Sequence, residues 1–465
     1  MGYNSYMKKI ITLIMTMIIA VGLLGSCGFI LNPGEPSIKD DIYNEYETMM
    51  DAFVEVISIA DVSDYLLFRA QTLGVQGHKD RSQSVIIETA GTNYSEEGPP
   101  ITIECGFSLD NLAEDLRAVA ISLVLLKEID GAHPLRIIFT PYEEENYFGA
   151  AKIPASYLKD IEMIHLNTKY PNEVVNQGAS LKFAYIERKV KMITPSYKIA
   201  YRVTIEGFNE ELATPDFSNT PNAIRELGVL FATCKSKGML FEIGDFSGGG
   251  GTNFSPISGS AIMVINQNDM KSLEYYYGKM ESRLIKAYQE EHPNIFVTMS
   301  AIEAPPSVLS NEDTDRLVSF IYTIFNGFCG ESEYAFSTLN KVATSKSKFS
   351  CNLLVLDLYN PEAIEENNDL DVICNLNDMD FRLKEINQGW YQDPESEFIK
   401  SFLEKIDKKP KGSFYDSPLV EYQRRKNNTE MLSYGVDLKD CEKQFLILKN
   451  YVESRSPLQL PIKSL

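Results

Sequence analysis

The 465-residue sequence is poor in histidine, with four in all, and has a single tryptophan. Imidazole is the commonest metal ligand and the side chain that titrates near neutral pH. Four copies leave little from which to build a centre that needs several. The seven cysteines are too few and too dispersed for a disulfide framework, and they form no CxxC pair and no zinc-finger spacing. Residues 248–251 are glycine-rich but lack the Lys-Ser/Thr of a phosphate loop. No GxSxG elbow is present, and there is neither an internal repeat nor a low-complexity segment. Charge is one-sided without being clustered. The formal net charge of −21 is spread along the chain, which reads as solubility and excludes nucleic acid as a partner, because phosphate backbones repel it.

No apolar run is long enough to span a membrane. The run at 10–24 falls short of the roughly 20 residues a spanning helix needs. It follows Lys8-Lys9 and ends in Leu23-Leu24-Gly25-Ser26-Cys27, the pattern of a secretory signal. Small residues just before a cysteine resemble a bacterial lipobox, in which Cys27 would receive lipid and become the first mature residue. The expectation is a protein of the bacterial cell envelope, outside the cytoplasm and held to the membrane by its lipid. An uncleaved anchor with an incidental Cys27 is the alternative, and it also leaves the body outside. Met7 offers a second start, and Pro33 and Pro36 mark a tether.

The length exceeds what one core usually organises, so two domains are expected. Ile42, Tyr46, Met49, Phe53 and Ile57 recur at helical steps and predict a helix within 40–73. Strands are expected at 84–89, 101–105, 135–140 and 161–166, with a helix at 117–128 that is apolar on nearly all sides and therefore buried. Strand, helix, strand in this order predicts an α/β layer with parallel strands. Near Arg188 the character changes to an α+β block, with strands at 197–206, 239–245, 261–266, 294–300, 349–358 and 370–377. Helices are expected there at 221–237, 269–290 and 311–325. A helix at 395–405 and the segments 430–434 and 441–451 return to the first domain.

The stretch from His133 to Ala150, HPLRIIFTPYEEENYFGA, resembles the HPLxxxxTxxEExxxxGA segment of the dizinc metallopeptidases, nearest to the bacterial aminoacyl-histidine dipeptidases. Residues 161–169 stand where that branch has ILINTD. Gly249-Gly250-Gly251-Thr252-Asn253-Phe254-Ser255-Pro256 is similar to its GGxxRNAIP, and 387–393 resembles its YPGWxPD. The four segments keep the family's order through most of the mature chain. The resemblance implies an α/β catalytic domain interrupted by an α+β lid. The signal would cover 1–27 and the tether 28–39. The catalytic domain would take 40–187 and 386–465, and the lid 188–385.

The resemblance also implies zinc chemistry, in which two metals, a bridging water, carboxylate and imidazole ligands and a general base hydrolyse a peptide bond. Glu143 and Glu144 match the base and a metal ligand. Asp115 matches the bridging ligand by helix register, with Asp110 as the alternative, and Asn253 is expected to line the cleft. Elsewhere the pattern breaks. The HxD motif should follow the strand ending at Cys105, and Gly106-Phe107-Ser108 stands there instead. His78-Lys79-Asp80 has the spelling but precedes the strand at 84–89, in a charged turn. A ligand aspartate is replaced by Lys169, whose ammonium opposes a metal and offers no lone pair while protonated. No histidine lies in 207–222, where the lid imidazole belongs, and none follows His292, where the late ligand belongs. His133 matches a non-catalytic position, His165 lies inside a strand, and His292 sits at an element boundary.

These features predict a lipid-anchored metallopeptidase homologue without a bound cofactor. It would be catalytically inactive, with a peptide or amino acid as ligand in the interdomain cleft. A homodimer is implied only by the lid domains of relatives. The alternative is an active metal-dependent dipeptidase with a reduced zinc site, in which Glu144 and Asp115 hold metal and Glu143 is the base.

Overall fold

The computed structural model describes residues 37–54, 58–89, 100–129, 135–142, 147–208, 221–249, 256–324, 327–329, 335–358, 368–406, 408–414, 417–425 and 429–455. The chain opens with α1 (Ile38–Ala52), α2 (Ile59–Thr72), β1 (Gln76–Lys79), β2 (Val85–Glu88), β3 (Ile101–Phe107), α3 (Leu112–Glu128), β4 (Leu135–Pro141), α4 (Phe148–Lys152), β5 (Glu162–Asn167) and β6 (Val174–Gly178). Helical periodicity runs across 40–73, but the helix breaks in two. Ser58 is extended and its hydroxyl accepts from the Asp61 backbone N–H, capping the start of α2. Ser37 caps α1 in the same way and forms a capping box with Asp40.

A second set follows: β7 (Ser180–Lys189), β8 (Met192–Ile193), β9 (Ile199–Glu206), α5 (Ala223–Ser236), β10 (Phe241–Gly249), β11 (Ser258–Ile265), α6 (Met270–Tyr288), β12 (Phe296–Ile302), β13 (Val308–Leu309), α7 (Asn311–Thr323), β14 (Gly327–Cys329), β15 (Ala335–Thr344), β16 (Lys348–Asp357), α8 (Asn368–Leu376) and β17 (Asp380–Asn387). The chain closes with β18 (Trp390–Tyr391), α9 (Glu397–Leu403), β19 (Lys411–Ser413), α10 (Leu419–Arg424), β20 (Glu430–Gly435) and α11 (Cys441–Ser454).

The first sheet has the order β1-β2-β4-β3-β5-β20-β6-β18, with β19 beside β6. Its central neighbours β4, β3, β5 and β20 are parallel. Both faces of β3 and β4 are covered, which is why these strands read as apolar runs without alternation. One face packs through Ile103, Cys105, Ile137, Phe139 and Leu166 against α3, itself buried along Leu116–Leu126, and against α11. The other face packs through Ile86, Ile138 and Met163 against Leu419 and Tyr422 of α10. The α/β layer with parallel strands is therefore as expected.

The second sheet is antiparallel, ordered β12-β9-β11-β10-β15-β16-β7-β17. Its core joins Phe246, Met263 and Phe349 to Phe231 of α5 and Phe320 of α7. The chain leaves the first sheet at Ala179, between β6 and β7, and returns at Gln388-Gly389, between β17 and β18. Arg188, where the sequence changes character, is thus already inside β7, a half-buried strand whose alternation is weak. At the return, Gly389 has φ +69 and no room for a side chain, because a Cβ there would meet Gly178 O at 2.5 Å.

One element has the wrong type in the sequence reading. Residues 370–377 were expected as a strand, yet α8 is a helix. Leu370, Ile373 and Cys374 recur at three- and four-residue steps and pack on the second core, so tertiary burial outweighs β-propensity. No described helix is long and apolar enough to cross a membrane.

Candidate functional site

In sheets of this kind sites lie beyond the carboxyl ends of the parallel strands. Here β3 ends at Phe107, β4 at Pro141, β5 at Asn167 and β20 at Gly435. Asp115 stands in the first turn of α3 and reaches back to this edge. Its Oδ2 accepts from the Ser108 backbone N–H at 2.9 Å and from the Ser108 hydroxyl at 3.1 Å. Burial pushes its carboxyl up to about 6 despite these bonds, while the Lys169 ammonium nearby pulls it down. Asp110, the alternative, is exposed in the turn before α3. Lys169 follows β5, where the Asn167 side-chain oxygen accepts from the backbone N–H of Lys169 and of Tyr170, both at 3.0 Å. The Asn167 amide in turn donates to Ser433 of β20 at 2.7 Å.

One layer deeper lies a buried polar group that sequence reading missed. Glu104 of β3 is fully buried, and it is register partner to His165 of β5. His165 Nδ1–H donates to Glu104 Oε2 at 2.5 Å, and the Thr140 hydroxyl of β4 donates to Glu104 Oε1. The available signal was a glutamate in the middle of an otherwise apolar strand, which demands a buried partner. Two buried tyrosine hydroxyls border this group: that of Tyr422, within reach of Thr140 and Glu104, and that of Tyr142, which has no hydrogen-bond partner among the described residues. Burial, then the Glu104 charge, raises both phenols well above their ordinary range.

The other candidates fall elsewhere. Glu143, Glu144, Cys27, Asn253 and His133 lie outside the described residues. His78 and Lys79 belong to β1 rather than to a turn. His78 Nε2 lies 3.2 Å from the Tyr157 hydroxyl, and Lys79 is ion-paired to Asp64. His292 is buried against Phe208 and Tyr288, beside the second sheet.

No family model and no curated protein matches the sequence. Among solved structures, the chain is similar to aminoacylhistidine dipeptidase from Vibrio alginolyticus, at 15% identity and a TM-score of 0.66, covering 91% of this chain and 97% of that one. The fold is that of the dizinc dipeptidases. The resemblance seen in the four sequence segments therefore holds at the level of fold, across almost the whole length. A tripeptidase from Staphylococcus aureus (10% identity, 90% and 100% covered, TM-score 0.46) and the aminopeptidase PepT from Bacillus cereus (11%, 90% and 99%, TM-score 0.42) are more distant.

Among the described residues, the donors at this edge do not fit the dizinc centre that this fold implies. Among the described residues, no group of three or more His, Cys, Asp or Glu is placed to hold a metal ion. The imidazole of His165, on β5, is committed to Glu104. The carboxylate at the edge is bonded by Ser108, and the nearby charge is an ammonium. The carboxylate and the hydroxyl are hydrogen-bonded to each other and the ammonium acts on the carboxylate through its charge, and imidazole is what such a set lacks for zinc.

Proposed function

We propose that this chain is a lipid-anchored, extracytoplasmic homologue of the dizinc dipeptidases that does not hydrolyse peptides and binds a peptide or amino acid between its two sheets. The observation that carries the reading is the chemistry of the dipeptidase-like edge. Asp115 is bonded by Ser108 and lies in the field of Lys169, and His165 is committed to Glu104. Fold resemblance supports the peptide-sized cleft, not turnover, because a fold hosts many functions. The anchor rests on the lipobox-like run ending at Cys27, and homodimerisation through the second sheet is compatible with the reading.

The deciding experiment is metal content and dipeptidase activity of the protein after zinc incubation. Substoichiometric zinc and no turnover are expected. One or two tightly held zincs per chain, with turnover abolished by Glu143→Gln, would replace this reading by the active enzyme, in which Glu144 and Asp115 hold metal. For the anchor, metabolic labelling with a fatty acid is expected to mark the wild type and not Cys27→Ser; equal labelling would refute lipidation at Cys27.

A further inference from the structure

The residue that follows strand β4 reaches sideways. The Tyr142 backbone N–H donates to Phe107 O at 2.7 Å, so the β3–β4 ladder continues one residue past the last parallel pair. That bond brings the Tyr142 ring across the end of β3 and lays it on Gly106. A Cβ added at Gly106 would sit 1.6 Å from Tyr142 Cζ, 1.8 Å from Cε2 and 1.9 Å from the hydroxyl oxygen. No side chain of any kind fits at position 106 while the ring is there. The ring also packs edge to face with Tyr147 at a centroid distance of 5.0 Å. Beneath it, Gly149 packs on Pro141 with no room for a side chain either, since a Cβ there would lie 2.6 Å from the Pro141 ring. Gly106 is the first residue after the stretch 101–105, where the dipeptidase resemblance places the imidazole of an HxD pair, and Ser108 stands where it places the aspartate.

We infer that Tyr142 is an internal stopper: its ring fills, over Gly106, the volume in which this fold would hold a metal-binding imidazole. The inference rests on the metal-free reading above and deepens it, because the ligand position is occupied by another residue's side chain and not merely vacated. The two substitutions are coupled by shape. A glycine at 106 without the tyrosine would leave a void at the end of β3, and a tyrosine at 142 without the glycine would overlap the side chain at 106. The hydroxyl plays no bonding part in this, since it is buried without a partner among the described residues. Packing is the role of the ring alone.

A double-mutant cycle on the full-length protein in detergent tests the coupling. Gly106→Ala is expected to lower the thermal midpoint by about 5 °C or more, and Tyr142→Ala to lower it by opening a cavity. The double variant Gly106→Ala/Tyr142→Ala is expected to be no less stable than Tyr142→Ala alone, because the methyl enters vacated space. If Gly106→Ala yields no folded protein, recovery of folding in the double variant carries the test, and its failure to fold overturns the stopper. Tyr142→Phe is expected to match or exceed the wild type, having no hydrogen bond to lose. Strict additivity of the two alanine changes, or a Tyr142→Phe loss as large as that of Tyr142→Ala, would overturn the inference. Zinc content separates this from the functional reading. Stoichiometric zinc in the wild type with the cycle still coupled would sink the metal-free reading alone. An additive cycle in a zinc-free protein would sink the stopper alone.

Discussion

Two carboxylates on neighbouring elements of the first sheet meet opposite fates. Glu104, in the middle of β3, is fully buried and satisfied by His165 and Thr140. Asp115, at the start of α3, stands half-buried at the sheet edge, bonded among the described residues by Ser108 and pulled on by Lys169. The deep pair is built as structure: its partners come from adjacent strands at fixed register, and neither group faces the edge. The edge carboxylate is where chemistry of the dipeptidase fold would be placed, and there the companions are a hydroxyl and an ammonium. The comparison teaches that, in this chain, the imidazole of His165 helps to hold three strands together.

The largest expected effect breaks the deep pair. Glu104→Ala should destabilise the protein by about 3–5 kcal/mol in denaturant unfolding, because it leaves His165 and Thr140 buried without their acceptor. A loss under about 1 kcal/mol would mean that the pair is open to water. Replacing both partners with apolar residues of similar size, as in Glu104→Leu/His165→Leu, should recover part of that loss. No recovery would show that the register, not the charge, needs these side chains.

A smaller effect sharpens the edge side of the comparison. The carboxyl of Asp115 sits at about 6 in the folded protein, above its ordinary 3.8. The folded state therefore binds more protons than the unfolded state between these values, and stability falls as pH rises through that window. Asp115→Asn removes the cost, so the variant should gain on the wild type by about 1–2 kcal/mol at pH 7, after allowance for its partial exposure. The gain should vanish near pH 4. A gain that persists at pH 4 would place the effect in packing and not in the charge. The exposed Asp110 provides the contrast: Asp110→Ala should stay within about 0.5 kcal/mol of the wild type across the same range.

Much of the first sheet was legible because strands covered on both faces are mostly apolar, as 101–105, 135–140 and 161–166 are apart from a few polar residues such as Glu104, Arg136 and His165. The second sheet was legible in outline, yet β7 was overrun because half-buried positions give weak alternation. Residues 370–377 were misread because a short apolar stretch fits either period. At the site, Lys169 and Gly106 were visible as departures, since charge and absence of a side chain are properties of single residues. The commitment of His165 to Glu104 and the lie of the Tyr142 ring were not visible. Sixty-one residues separate Glu104 from His165 along the chain, and only the parallel register of β3 and β5 makes them neighbours.

The sequence by itself determined the alternation of strands and helices in the first layer and the shortage of imidazole, because burial and composition act residue by residue. Only the tertiary structure decided which polar groups meet. Strand register places His165 against Glu104, and the ladder bond from Tyr142 to Phe107 carries a phenol ring onto Gly106. Such pairings depend on where distant segments are brought together, which no single stretch of sequence encodes.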